Sequence, residues 1–167
     1  MKVKKIRNIN LWNISLRFEE VCMVICGFFL CISITLMVFF RYILKINSYG
    51  LEEIILMFAV WLYFMGGAYG SYENSHVSAN IVYFIIKDKK KLKVMAIIKD
   101  ILTTLLCLTA TFLEAQSFLW TLKMNPKSPV HRLPMIIPNF AVLFGLCLMS
   151  YYYLVYLVND FKNIKKN

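Results

Sequence analysis

Acidic residues are scarce in this chain: nine Asp and Glu stand against nineteen Lys and Arg, and charged residues make up only 17%. A soluble domain is nearer one quarter charged. A soluble enzyme, a disordered chain and a fibrous protein all fit poorly. Histidine is scarcer still. His76 and His131 are the only two, and they fall at opposite ends of their spans, so they share no metal and bracket no haem. The sequence also lacks HExxH, GxSxG, a P-loop and an acidic cluster of the DxxDG kind. A catalytic role is not expected, and neither is a cofactor or metal. The five cysteines, Cys22, Cys26, Cys31, Cys107 and Cys147, form no CxxC pair and lie inside apolar runs. They are expected to be small apolar packers rather than redox thiols.

What the chain has in abundance is apolar sequence: 60% hydrophobic residues and a mean hydropathy of +0.63. The charges cluster in short stretches between long uncharged runs, as in a polytopic membrane protein. The first run is Val21–Phe40. A helix of that length covers about 30 Å, one hydrocarbon core. It is too long for a signal peptide and lacks a small-x-small cleavage site before Arg41. The second run is Ile54–Gly70. The third, Ile101–Leu122, is interrupted by Glu114 alone. The fourth opens at Leu133 and reaches about residue 158. Its Pro134 and Pro138 fall in the first turns, where a missing amide donor costs least, and Pro138 is the candidate kink.

The expected fold is therefore an all-α integral membrane protein, one domain over 1–167 with four transmembrane helices. Two further segments are expected to lie at the interface as amphipathic helices, about 8–18 and 79–93. Fourteen Lys and Arg fall in the N-terminal segment, the second loop and the C-terminal tail, against five in the other two loops. The positive-inside rule then puts both termini in the cytoplasm. The net charge of +10 is a topology signal and an attraction to anionic phospholipids. It is not a nucleic-acid signature, which would interleave basic and stacking aromatic residues on a soluble surface.

A transporter acting alone needs polar groups near the midplane. The first, second and fourth spans have no ionisable residue there, and Glu19 and Glu20 stand only at the inner mouth of the first. The chain therefore reads as the partner of something larger. A few polar or small residues stand out. Arg41 ends the first span where Glu52 and Glu53 open the second. They either pair across the loop or touch a partner, or they are hydrated anchors. Gly66 and Gly70 share a helical face, and Gly67 and Ser71 repeat the spacing, which allows close helix approach against a partner or internally. Glu114 is the one acid inside a span. It is expected to be structural and neutral, bonded to a neighbour such as Asn139. Trp61 is expected to pack against helix or lipid. Tyr151, Tyr152, Tyr153 and Tyr156 fit an inner aromatic belt.

These residues, in this order, resemble the small four-helix membrane subunit, the DctQ type, of tripartite ATP-independent periplasmic (TRAP) transporters. The resemblance rests on Arg41-Tyr42, Glu52-Glu53, Trp61, Gly66-Gly67-Ala68, His76-Val77, Ser128-Pro129, Leu133-Pro134 and Gly145. It covers roughly residues 15–160. Tyr49-Gly50 departs from it where a Trp is usual, Asn80 where an Asp is common, and Leu143-Phe144 where a proline often precedes the last glycine. The resemblance implies a bacterial or archaeal inner-membrane subunit that braces a large membrane subunit. It would help dock a periplasmic substrate-binding protein, in sodium-driven uptake of organic acids such as dicarboxylates, keto acids or sialic acids. Two other classes stay open on the residues alone. One is a non-transporting assembly or regulatory protein, and the other a small self-sufficient four-span exporter.

Overall fold

A computed structural model describes residues 11–46, 49–73 and 89–164. They form four helices: α1 (Leu11–Tyr42), α2 (Tyr49–Tyr72), α3 (Lys89–Met124) and α4 (Ile136–Ile164). No strand occurs among the described residues beyond an isolated bridge between Lys127 and Pro134. His76, Asn80, segment 79–88 and residues 8–10 lie outside the described residues.

Length and composition make three of these helices able to cross a membrane: Ile14–Tyr42, Gly50–Tyr72 and Ile136–Val158. The expected third span, 101–122, lies within α3, whose first turns are basic and carry Asp100. Residues 11–18 of the expected interfacial segment continue into α1 without a break, and 89–93 are the first residues of α3. At 1.5 Å per residue α1 is about 48 Å long, more than a hydrocarbon core. Its first turns therefore extend past the apolar layer.

Charges at the helix ends agree with the macrodipole. Arg41 and Lys123 stand in the last turns of α1 and α3, and Glu52 in the first turn of α2. Asn125 follows α3 with φ of 44° and donates its N–H to the Thr121 carbonyl at 2.9 Å. That is a left-handed cap, which asparagine tolerates better than most residues. The last helix starts at Ile136 rather than Leu133, because the preceding residues serve the loop. The Leu133 carbonyl accepts from Ser128 N at 2.9 Å, and Met135 N donates to Pro126 O at 3.1 Å. Pro138 then falls in the first turn of an unbroken helix.

Helix α2 packs against α1 on one side and α4 on the other, and α4 packs against α3. The α2–α4 pair is thus central, with α1 and α3 flanking it. The core is thin and lies mostly in that central pair. Met65, Ala68, Ala141 and Tyr152 are fully enclosed, and Tyr153 nearly so. Small residues permit the approach. A Cβ placed on Gly145 would lie 2.8 Å from Phe64 Cβ and 3.0 Å from its carbonyl oxygen. The two backbones meet there, and only glycine fits. About one turn along the seam, Phe140 contacts Trp61 of α2 (ring centroids 6.2 Å apart) and Phe118 of α3 (6.1 Å). One ring therefore ties three helices.

Candidate functional site

The polar chemistry is gathered at the two ends of this bundle. At one end Glu53, near the start of α2, reaches the loop between α3 and α4. Its two carboxylate oxygens accept the N–H groups of Val130 (2.9 Å) and His131 (3.0 Å). A carboxylate with two oxygens suits two adjacent amides that would otherwise be left to solvent. The loop presents them because it folds back on itself, with Arg132 at φ 52°. Ser128 is buried next to this carboxylate, but its hydroxyl falls outside hydrogen-bond geometry. Gly50 lies one turn before Glu53 and under the His131 ring, where a Cβ would meet Nε2 at 2.0 Å. Glycine at position 50 thus makes room for this loop. Glu52 and Glu53 also border a cleft with Leu56, Met57, Pro129 and Val130.

Arg41 is not part of this arrangement. It is exposed, and no ion pair joins it to Glu52 or Glu53. Of the alternatives open at Arg41, pairing with the acidic residues does not occur among the described residues, and Glu53 instead accepts from the amides of the last loop.

At the opposite end the glutamates of α1 separate. Glu19 is fully buried and Glu20 exposed. Ser15, one turn earlier, donates to Glu19 Oε1 at 3.1 Å, and the Tyr152 hydroxyl donates to the same oxygen at 2.5 Å. Ser15 Oγ and the Tyr152 hydroxyl are themselves 3.1 Å apart. Glu19 Oε2 has no hydrogen-bond partner among the described residues. Around this triangle Tyr156 donates to the Tyr72 carbonyl, and the Tyr72 and Tyr152 rings lie 6.0 Å apart. Tyr69 donates to exposed Glu20 at 3.4 Å. The tyrosine run is therefore not a simple belt. Tyr151 is 54% exposed, but Tyr152 and Tyr153 face inward and hold helices together.

Between the ends, the expected polar pair does not form. Asn139 donates from Nδ2 to the Thr121 hydroxyl at 2.7 Å. Glu114 is half-buried and makes no hydrogen bond among the described residues. Thr111 is the other tie on the α3–α4 seam, with its hydroxyl 2.8 Å from Ser150 Oγ. Gly66 turns towards α1, where a Cβ would sit 3.7 Å from Met23 Sδ, ordinary contact distance. Gly70 is half-buried one turn on. Against the neighbouring helices the tight glycines are instead Gly67, where a Cβ would meet Met149 Cε at 2.3 Å, and Gly145. Gly67 shared the small-residue spacing with Ser71 and Gly145 entered only with the family resemblance, so three-dimensional packing alone separates them from Gly66.

Four helices with a largely apolar exterior, three of them long and apolar enough to cross a membrane, define an all-helical membrane protein. The family profile described as "Tripartite ATP-independent periplasmic transporters, DctQ component" matches residues 30–163. The chain belongs to this family and is the small membrane component of a TRAP transporter. No curated protein matches it.

Proposed function

We propose that the chain is the bracing subunit of a sodium-gradient-driven uptake system for organic acids, with dicarboxylates, keto acids or sialic acids as the substrate class. It sits in the cytoplasmic membrane of a bacterium or archaeon with four spans and both termini in the cytoplasm. It packs against a large membrane subunit that carries the substrate and ion sites, and its Glu53 end lies on the side where a periplasmic binding protein docks. Glu52, Glu53 and Arg41 are the candidate contacts on that side. Gly66 and Gly70 are the candidate small-residue contacts within the membrane.

One observation supports this reading above the others: the polar side chains that bond between elements tie helix to helix or loop to helix, at the ends and along the α3–α4 seam. They line no polar chamber at mid-depth of the kind that holds a substrate or coupling ion in secondary transporters. The experiment is reconstitution into liposomes with an imposed sodium gradient. Uptake of labelled organic acid requires this chain, the large subunit and the binding protein together. Flux through this chain alone would refute the bracing role. Reporter fusions at Asn167 and Lys45 test the topology, and they should report opposite sides of the membrane.

A further inference from the structure

Arg41 and Glu52 are charges of opposite sign at the same end of the bundle, and neither is paired. Both are exposed, no ion pair joins them, and no hydrogen bond reaches either side chain among the described residues. Glu52 is also the one charged residue lining an apolar groove of about 520 Å³ along α2. Met37 of α1 borders this groove, and Leu56, Ala59, Tyr63 and Phe64 continue its surface down α2. Apart from Glu52, every lining residue is apolar or aromatic.

Helical geometry shapes the groove and its mouth. Ala59 stands two turns from Glu52 and only about 20° round the helix, so a small residue makes a notch in line with the carboxylate. Leu56 and Tyr63, one turn above and one turn below Ala59, are 55% and 74% exposed. Arg41 follows Met37 by one turn, about 40° round α1. Helices α1 and α2 run antiparallel, with Phe29 stacked on Phe58 and Gly66 beside Met23. Side chains lean towards the N-terminus of their own helix. Arg41 therefore leans inwards and Glu52 outwards, which brings the two charges towards one depth at the mouth of the groove.

We infer that this groove holds one phospholipid of the ethanolamine type, with an acyl chain along α2 and the headgroup across Arg41 and Glu52. The phosphate takes the Arg41 guanidinium, whose forked donors suit phosphate oxygens. The primary ammonium, two carbons away, donates to the Glu52 carboxylate. Other headgroups satisfy only half of the mouth. Phosphatidylglycerol sets a like charge before Glu52, and a choline headgroup offers the carboxylate no N–H. A transmembrane helix would fill the apolar length but bury both charges unless it supplied an acid and a base together. Glu52 borders both this groove and the cleft beside Glu53. Under the topology proposed above, the lipid belongs to the outer leaflet and forms part of the surface next to the Glu53 clasp.

The test weighs the full-length chain intact by native mass spectrometry. It is purified in mild detergent and mixed with equal amounts of palmitoyl-oleoyl phosphatidylethanolamine, phosphatidylcholine and phosphatidylglycerol. The single-lipid adduct should favour the ethanolamine lipid about threefold over either competitor, the scale of one exposed ion pair. Glu52→Gln should erase the preference over the choline lipid, and Arg41→Gln should weaken binding of all three lipids. Ala59→Phe fills the notch and should abolish the adduct. Glu20→Gln removes the same charge at the opposite end and should leave the preference unchanged. No preference, a preference for phosphatidylglycerol, or an ethanolamine preference that survives Glu52→Gln would overturn the site. In membranes containing the whole transport system, a photoreactive benzophenone side chain at Leu56 should add the mass of one phospholipid. An adduct there with the large subunit, or with a second copy of this chain, would overturn it as well, because a helix would then fill the groove.

Discussion

Glu19 and Glu53 fasten opposite ends of the same bundle by opposite means. Glu19 is enclosed, and its partners are side chains, Ser15 and Tyr152, from α1 and α4. Glu53 is at the surface, and its partners are two backbone amides of a loop. The first tie holds helix to helix and depends on burial. The second holds a loop to a helix and depends on geometry and charge. A carboxyl group thus serves as packing at one end and as a clasp at the other.

The largest expected effect comes from the seam that both ends share. Gly145→Ala would push a Cβ into the Phe64 backbone, which cannot swing aside. We expect a loss of about 2 kcal/mol, as for other overpacked cores, read as a lower unfolding temperature in detergent. Both ends should loosen together; a variant as stable as the parent would show that the close α2–α4 approach is not what unites them.

Tyr152→Phe sharpens the difference at the buried end. It removes one of two donors from an enclosed carboxyl group and should cost about 1 to 2 kcal/mol. Glu20→Gln, one residue away on the exposed side, should cost nothing measurable. Equal effects would contradict the burial of Glu19.

Glu53→Gln tests the exposed clasp. The expected effect is local. The amides of Val130 and His131 should exchange hydrogen faster, with little change in global unfolding temperature. If the whole bundle melts earlier, the clasp is structural in the same sense as the Glu19 triangle, and the contrast between the ends disappears.

The smallest effects are expected at Arg41 and Gly50. Arg41→Ala removes an exposed charge without an ion pair and should leave folding unchanged. Gly50→Ala meets only the far end of the His131 side chain, which can swing away. Its effect should be confined to the loop and visible as altered exchange at His131.

The helices were legible because long uncharged runs have one stable form in hydrocarbon. The family was legible because Arg41, Glu52-Glu53, Trp61 and the later prolines keep their order. The ties were not. Glu19 and Glu20 are chemically identical neighbours, and only the 100° step between them, set against the position of α4, buries one and exposes the other. The partners of Glu53 are backbone amides, which leave no mark in a pattern of side chains. Tyr152 and Tyr151 differ by the same step, so a run that looks like a belt divides into one outward and two inward rings. Gly66 carried the stronger spacing signal, yet Gly145 makes the closer approach, because the facing residue there presents its backbone.

The central claim is that this chain acts by holding a larger membrane subunit, with Glu19, Glu53, Thr111 and Asn139 spent on internal ties. The most direct measurement is the composition of the complex extracted in mild detergent from membranes containing the whole transport system. The large subunit and this chain should elute together in equal amounts, and uptake should be lost when this chain is deleted. If the large subunit elutes without it and sodium-driven uptake persists in its absence, the bracing role is wrong.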